Sequence, residues 1–407
     1  MLDKRLKIIF DFLNMSGGAP RSQLEHMMAM KQAGHNVIAT IESDAELLRQ
    51  KSKGVKVFEV DNFSTMTPIK NFYIIKKWTN IINAVKPDLI HANRKPQFRF
   101  LAVVSDLTGV PLVFVQPGGV TNIFSIKSMY RKTPVCYSLE NKRSFIHAGF
   151  LPSEINVISN RIKAFHVSKF HSHTGFPVKI LFTGNIKRGT VQGLCKFLEH
   201  IKEISGQIKV PFLLYIAGQD TSPGRIYHEI VATKIFETNR ALSGKGNIEN
   251  LGWVEDIEKL QASMDICIGK GRSVIQPAMA GKICFVIAET GRLTRVSNKT
   301  FQSLYEFNFS GRGDQEDCRS DFLALLSDYS CLAKLMEESD SVAPKVCDFY
   351  LAENAKEKLE YVYAQALKTQ SKRPQRSNAI KRYIFLYMLS LQEFALNHVA
   401  SPQVSQD

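Results

Sequence analysis

The segment from residue 269 to 282, GKGRSVIQPAMAGK, combines glycines with fixed positive charges between two apolar runs. The runs predict buried strands, with Lys270 and Arg272 in the glycine turn and a short helix over 273–280 that Gly281 ends. A strand, a glycine turn and a helix N-terminus bring unpaired backbone N–H groups and the helix dipole to one point. The segment therefore predicts a site for an anion such as phosphate.

Two further glycine turns follow strand-like runs. One, GNIKRG, follows the run 178–183 and carries Asn185, Lys187 and Arg188. The other contains Gly17 and Gly18 and follows the first apolar run of the chain. Its spacing differs from the GxGxxG pattern of dinucleotide folds, which disfavours a nicotinamide or flavin enzyme.

A histidine stands at the end of the predicted strand KPDLIH, followed by Asn93 and Arg94. Open parallel sheets bind ligands at this carboxyl edge. His91 there is either a general base or a hydrogen-bonded structural residue, and the sequence leaves both open.

The composition excludes several classes of protein. The 407 residues suffice for two α/β domains, and 44% hydrophobic with 22% charged residues is typical of a soluble globular protein. A net charge of +15 and a pI near 9.4 indicate acidic partners, namely nucleotide phosphates, anionic lipid or nucleic acid. Because the basic residues are dispersed and no recognition motif accompanies them, we expect no nucleic-acid partner.

Metal-ligand patterns are weak in this sequence. The seven cysteines form no CxxC pair, so we expect reduced thiols in a cytoplasmic protein. His166, His171 and His173 cluster in the expected interdomain linker without acidic or cysteine ligands, so we expect no metal site. The N-terminal apolar run is interrupted by Asp11, which favours a first strand over a signal peptide.

Alternating strand and helix patterns predict an α/β protein with three parts. These are a first domain over residues 1–165, a second over 166–368, and a basic and apolar helical tail over 369–407. The tail helix is too short and too polar to span a bilayer. It either lies on an anionic membrane surface or packs back onto its own domain, and both alternatives stay open.

Taken together, these segments resemble those of a known family, the retaining GT-B glycosyltransferases often called family 4. Six segments in order, within residues 6 to 365, carry the resemblance. They are SGGA at 16–19, KPDLIH at 86–91, VISN at 157–160, LFTG at 181–184, NLGWV at 250–254 and GRSVIQPAMAG at 271–281.

The resemblance implies two Rossmann-like domains facing a cleft, the second binding a nucleotide sugar and the first an acceptor. No cofactor or metal is needed, since basic side chains and helix N-termini stabilise the leaving diphosphate. It makes His91 the candidate catalytic residue and assigns acceptor binding to Asn93 and Arg94. The candidate donor-binding residues are Gly17, Gly18, Asn185, Lys187, Arg188, Lys270, Gly271, Arg272, Ser273 and Gln276.

Several positions depart from the family pattern. Asn185 stands where the family usually has arginine, and Gln276 where it has the glutamate that holds the ribose. An amide offers one acceptor oxygen, whereas a carboxylate offers two.

The expected protein is a cytoplasmic glycosyltransferase, cytosolic or peripheral on the inner membrane face, that acts on a surface-glycan, lipopolysaccharide or lipid-linked acceptor. The alternative is a catalytically silent GT-B protein that binds nucleotide sugars or acts as a partner subunit.

Overall fold

The computed structural model describes residues 4–61, 63, 68–93, 97–119, 126–163, 177–220, 223–370 and 373–399. The chain forms two compact units. Met1–Arg161 and Ala352–Asp407 make up the first, and Ile162–Leu351 makes up the second. The α/β organisation is as predicted, but the C-terminal segment belongs to the first unit rather than completing the second.

A parallel sheet organises the first unit, with seven strands among the described residues. The strands are β1 (Lys7–Phe12), β2 (Asn36–Ile41), β3 (Lys56–Glu59), β4 (Leu89–Ala92), β5 (Leu112–Gln116), β6 (Thr133–Cys136) and β7 (Asn156–Val157). Parallel neighbours need crossover connections, which bury both faces of the sheet. The helices between these strands are α1 (Gly18–Gln32), α2 (Ala45–Lys51), α3 (Pro68–Val85), α4 (Gln97–Thr108) and α5 (Leu139–His147).

The strand order of this sheet is β3-β2-β1-β4-β5-β6-β7, and every pairing is parallel. The direction of winding reverses between β1 and β4, where Phe10 pairs with His91 and Asp11 with Ala92. The chain segments that follow these two strands therefore emerge side by side. Ligands of open α/β sheets bind at such a point.

The second unit has a sheet of the same kind, with six strands in the described residues and the order β10-β9-β8-β11-β12-β13. They are β8 (Val178–Thr183), β9 (Phe212–Ala217), β10 (Gly246–Gly252), β11 (Ile266–Gly269), β12 (Ile283–Ile287) and β13 (Leu293–Arg295). Only the pairing of β12 with β13 is antiparallel. The helices of this unit are α6 (Arg188–Glu203), α7 (Ile226–Leu242), α8 (Ile257–Ala262), α9 (Arg272–Met279), α10 (Phe301–Glu306), α11 (Arg319–Ser327) and α12 (Ser330–Tyr350).

Helix α9 forms close to its predicted bounds although it contains Pro277. Proline lacks the N–H that would bond to the carbonyl four residues earlier. The amide of Gln261 donates to that carbonyl, on Ser273, at 3.1 Å. Gly281 follows the helix in the left-handed conformation (φ 74°), as expected for a glycine cap.

Helix α13 (Lys356–Thr369) packs on the first sheet, which corrects its predicted place in the second domain. Leu359, Val362, Tyr363 and Ala366 form one buried stripe at helical spacing, in the same core cluster as β1. The periodicity reveals which face of the helix is buried. It does not reveal which sheet covers that face, and here that is the first sheet.

The last described helix, α14 (Arg376–Val399), packs one face on the first unit. Ala379 and Leu386 are buried in the core cluster that contains α4, and the Arg382 Nε lies 2.8 Å from the Asp106 carboxylate. Part of the opposite face is exposed at Ile380, Ile384 and Met388. No helix of the described residues is long and apolar enough to cross a membrane.

Candidate functional site

Two glycine turns lie side by side at the carboxyl edge of the second sheet. One follows β8 and enters α6 at Arg188, and the other follows β11 and enters α9 at Arg272. Thr183 and Gly269 are paired at the ends of these neighbouring strands. Neither helix has an acidic residue in its first turn. The first turns of both helices therefore carry no carboxylate of their own, and the carboxylate near the N-terminus of α6 is that of Glu289, which packs against Gly189.

The turn after β11 is closed by Ser273, one of the predicted donor-binding residues. Its Oγ accepts from the backbone N–H of Lys270 at 3.1 Å and donates to the Lys270 carbonyl at 2.9 Å. A β-carbon at Gly269 would lie 2.6 Å from the carbonyl oxygen of Thr183. Only glycine therefore allows the ends of β8 and β11 to approach this closely.

A cavity of about 430 Å³ lies at these turns. This volume is within the range of roughly 300–1,000 Å³ usual for small-molecule sites. The charged residues of its wall, within the part of the chain that the structure describes, are four cations and one carboxylate, namely Lys187, Lys270, Arg292, Arg312 and Glu289. Because positive charge is in excess, the cavity suits a ligand with several negative charges.

The pKa of Lys270 is lowered by its surroundings in this cavity. Burial lowers the pKa of its ammonium group, Glu289 opposes that shift, and Lys187 and Arg312 lower the pKa further. Burial and the neighbouring cations thus outweigh the one carboxylate that opposes them. A bound anion would compensate for that excess charge and favour the charged lysine.

A third glycine turn completes the wall and was not singled out from the sequence. Its residues 310–313, SGRG, line the cavity. The backbone N–H of Gly271 donates to the Phe309 carbonyl at 2.6 Å, which joins this turn to the one after β11. Glycines flanking Arg312 were the available signal, since the other two turns also combine glycine with fixed positive charge.

The structure divides the predicted donor-binding residues of this unit into two groups. Lys187 and Lys270 lie in the cavity wall, whereas Asn185, Arg188, Arg272 and Gln276 are not among the described residues that form it. Asn185 and Arg188 are exposed and Arg272 is half-buried. Gln276 is only 4% exposed within α9. The glutamine thus lies in the interior of the unit in this conformation.

In the first unit, the predicted glycine turn and the end of β4 come together. Gly17 precedes α1 with φ 90°, and Gly18 is the first residue of that helix. The Asn93 side-chain amide donates to the Ala19 carbonyl and to the Tyr137 hydroxyl, both at 3.1 Å. Asn93, which follows β4, therefore connects the first turn of α1 with the residue that follows β6. Arg94 lies outside the described residues.

His91 is fully buried in β4. Its Nδ1 shares a hydrogen bond of 2.9 Å with the Tyr363 hydroxyl of α13, and its ring packs on Phe10. Burial lowers the pKa of His91 to about 3. A general base must reach substrate and take up a proton, so this environment argues against the predicted catalytic role and favours the structural one.

A second histidine packs beside the first. The rings of His26 and His91 are 5.7 Å apart and nearly perpendicular. Burial, then His91 and Arg161, lower the pKa of His26 well below its ordinary value. Both rings are therefore neutral at physiological pH.

Metal ligands are not grouped in the part of the chain that the structure describes. There, no group of three or more His, Cys, Asp and Glu residues could hold a metal ion. His166, His171 and His173, the candidates considered from the sequence, lie outside the described residues.

No protein-family model matches the sequence. No curated protein matches it either. Among solved structures, the chain is similar to a glycosyltransferase from Rickettsia africae ESF-5, with a TM-score of 0.68 and 16% identity over 90% of this chain and 100% of the other. It is similar to HepE from Anabaena, solved with UDP and glucose, with a TM-score of 0.67 and 14% identity over 89% and 100%. A further similar structure is the lipopolysaccharide outer core galactosyltransferase WaaB, with a TM-score of 0.58 and 12% identity over 88% and 99%.

These similarities agree with the two sheets described above, and the fold is the GT-B fold with two Rossmann-like domains. At 12–16% identity they concern the fold, and residue roles depend on the geometry of this chain.

Proposed function

We propose that this protein is a glycosyltransferase that takes its sugar from a nucleoside diphosphate sugar bound in the second unit. The observation that carries the proposal is the cavity with Lys187, Lys270, Arg292 and Arg312 beside two helix N-termini. A diphosphate is negatively charged and would balance the excess positive charge of this cavity. Backbone N–H groups at helix N-termini also bind phosphate oxygens. The GT-B fold supports the same assignment, since the fold occurs in HepE with UDP and glucose.

In the proposed mechanism, the cavity stabilises the diphosphate as the bond between sugar and phosphate breaks. Negative charge develops on the leaving diphosphate, and fixed cations directed at it lower the barrier. Lys270 is the best placed of these cations because it is half-buried among other cations. Since these side chains supply the positive charge, the reaction is proposed to need no metal ion.

Glu289 has a different role in this proposal. It is the one carboxylate among the charged residues of the described wall, and its side chain is exposed. A carboxylate accepts hydrogen bonds from hydroxyl groups. We assign it to the hydroxyls of the donor sugar, and assign the four cations to the diphosphate.

The direct test is a panel of nucleoside diphosphates and their sugars, beginning with UDP and UDP-glucose. A ligand that binds the folded protein raises its apparent stability, so the matching nucleotide should raise Tm in proportion to the logarithm of its concentration. The matching nucleotide sugar should also be hydrolysed slowly to the diphosphate. The absence of both effects with every member of the panel would contradict the proposal.

The resemblance stated above further suggests retention of anomeric configuration. Once the donor is known, proton NMR of the first-formed product gives its anomeric configuration directly. An axial product from an axial donor supports retention, and an equatorial product contradicts it. Turnover that is unchanged by excess EDTA supports the metal-independent mechanism, and loss that divalent ions restore contradicts it.

For the acceptor we propose a surface glycan, a lipopolysaccharide or a lipid-linked precursor at the inner face of a membrane. The support is the exposed face of α14, where Ile380, Ile384 and Met388 recur at helical spacing. Exposed basic residues, including Arg376 and Lys381, lie on the same helix. Apolar side chains beside basic ones are typical of helices that bind anionic membrane surfaces.

Vesicle sedimentation tests the membrane proposal with a matched pair of variants. Ile380→Asp with Ile384→Asp should abolish binding to vesicles that contain anionic lipid. The control is Ile226→Asp with Ile230→Asp, the same change at two exposed isoleucines of α7 in the second unit. Equal binding by both double variants would reject this surface as the membrane contact.

A second candidate is a catalytically silent GT-B protein that binds nucleotide sugars. The observations that favour it are the buried Gln276 and the buried, neutral His91. The Gln276→Glu variant separates the two. Turnover that appears only in the variant supports a silent protein, whereas turnover in the wild type that the variant loses supports an enzyme adapted to glutamine.

A further inference from the structure

A second cationic cluster lies in the first unit, at the amino end of its sheet, away from the carboxyl edge described above. Its centre is Asp106 at the end of α4, which is shared by two cations. The Lys132 Nζ lies 2.7 Å from one carboxylate oxygen, and the Arg382 Nε lies 2.8 Å from the other. Lys132 is only 8% exposed. Two cations on one carboxylate leave a net positive charge in a mostly buried place.

These groups line a cavity of about 340 Å³ between the start of β6 and the start of α14. Arg131 and Arg373 add two more cations to its wall, and Glu154 adds a carboxylate. That carboxylate already accepts a hydrogen bond from the backbone N–H of Leu151 at 3.0 Å. Among the described residues, the wall therefore has four cations and two carboxylates, an excess of two positive charges.

The electrostatics of Lys132 agree with this count. Burial lowers the pKa of Lys132 and Asp106 opposes the shift, while Arg382 lowers the pKa further. The N-terminus of α14 faces the same cavity, since Gln375 and Asn378 line it. The first turn of this helix contains no acidic residue. The helix dipole thus adds to the positive potential.

We propose that this cavity binds the phosphoryl group of a small phosphorylated ligand, at a site distinct from the proposed nucleotide site. A doubly charged phosphate monoester would balance the two excess charges, and the cavity volume has room for more than the phosphate alone. Arg131 and Arg373 are exposed and are assigned to contact the ligand, whereas Lys132 and Arg382 hold the floor of the site.

The site also makes α14 responsive to the ligand. Arg382 is the charged link between α14 and α4, beside the apolar contacts of Ala379 and Leu386, and it donates to the carbonyls of Ser128 and Tyr130 as well as to Asp106. An anion in the cavity would reduce the repulsion between Arg382 and Lys132. Ligand binding should therefore stabilise the docked position of the last helix.

The test uses the full chain carrying Lys187→Gln and Lys270→Gln, which weaken the proposed nucleotide site so that phosphate bound there does not obscure the result. In this background, Arg131→Asn with Arg373→Gln removes the two exposed cations. Asparagine is chosen because residue 131 has φ 67° and asparagine tolerates that conformation. The control is Lys127→Gln with Lys51→Gln, which removes equal charge at exposed positions of the same unit.

Two arms identify the source of the phosphoryl group. In the first, inorganic phosphate and glycerol phosphate are titrated by calorimetry at constant ionic strength. In the second, vesicles of phosphatidylcholine with phosphatidic acid are compared with vesicles of phosphatidylcholine alone. Binding in the first arm identifies a free phosphorylated molecule, and binding only in the second identifies a lipid headgroup.

In whichever arm binding occurs, we expect the double arginine variant to weaken it at least tenfold and the lysine control to leave it unchanged. Equal weakening by the two double variants would overturn the site, because it would show a response to net charge alone. No binding in either arm would overturn it as well. The four side chains that differ between the arginine variant and the lysine control, Arg131, Arg373, Lys127 and Lys51, are all exposed, so loss of folding is not expected, and near-UV circular dichroism checks this directly.

Discussion

The carboxyl edges of the two sheets have similar topology but different surroundings. In the second unit, the edge between β8 and β11 meets a cavity with Lys187 and Lys270 in its wall. In the first unit, the edge between β1 and β4 includes His91, which is covered by α13 through Tyr363. The same strand arrangement therefore leaves fixed charges accessible in one unit and buries a neutral imidazole in the other.

The difference lies in which side chains point along the edge and which point into a face of the sheet. Successive residues of a strand point to opposite faces, and a helix covers each face. His91 lies within β4 and packs into such a face, whereas Lys187 and Lys270 lie in turns beyond the strand ends. Residues of the turns, rather than of the strands, are therefore the better candidates for ligand binding.

The largest expected effect concerns the buried histidines and tests whether the first edge is structural. The folded-state pKa of His91 is about 3, below the 6.5 of the unfolded chain, so only the unfolded state gains a proton between these values. The stabilising contribution is present above pH 6.5 and is lost as pH falls toward 3. At pH 4.5 the loss from His91 alone should be about 3 kcal/mol, at ~1.4 kcal/mol per pH unit.

Urea unfolding at several pH values measures this loss. Trp78 is buried in the first unit, so a Trp253→Phe variant makes fluorescence a reporter of that unit alone. His91→Gln should reduce the slope of unfolding free energy against pH between 6 and 4, and His147→Gln, at an exposed histidine, should leave it unchanged. A wild-type slope near zero would mean that His91 titrates normally and is accessible.

The next effect concerns the charged cavity. Lys270→Gln should weaken nucleoside diphosphate binding by about 10- to 100-fold, because a hydrogen bond to a charged group contributes about 1.5–3 kcal/mol. The matched control is Lys259→Gln, at an exposed lysine of α8 outside the cavity wall. Calorimetry gives both affinities. An unchanged affinity in Lys270→Gln would remove the cavity from the proposed function.

A smaller effect separates sugar contact from diphosphate contact within the same cavity. Glu289→Gln should lower kcat/KM for the nucleotide sugar by about tenfold, while the affinity for the free diphosphate changes little or rises. The value of kcat/KM falls because the amide has one acceptor oxygen fewer for the sugar hydroxyls. The diphosphate affinity does not fall because the substitution removes a negative charge near the phosphates. A marked loss of diphosphate affinity would contradict the assignment of Glu289 to the sugar.

The smallest effect is expected at Arg188 and Arg272, the first residues of α6 and α9, which are not among the described residues of the cavity wall. Arg188→Ala and Arg272→Ala should each weaken diphosphate binding by up to about fivefold, since a solvent-screened pair of opposite charges contributes about 0.2–1 kcal/mol. The same titrations measure this change. An effect as large as that of Lys270→Gln would mean that these arginines move into contact with the ligand when it binds.

The fold was largely predictable from local patterns. Alternation of apolar runs with helical periodicity predicted both sheets, and Gly281 and the residues before it predicted α9 to within one residue. The place of α13 was not predictable, because a buried stripe at helical spacing fits either sheet equally well. Likewise, the two alternatives for the tail concern opposite faces of α14, and only packing shows that one face is buried on the first unit.

The sequence by itself determined the glycine turns, the fixed charges within them, and thus the expectation of an anion site in the second domain. Lys187 and Lys270 could be selected because glycine turns and charge are local properties of a chain. Tertiary structure alone decided that Arg292, Arg312 and Glu289 join them, since these residues come from other connections of the sheet. It also decided that His91 is buried, because the helix that covers it arrives from the far C-terminal part of the chain.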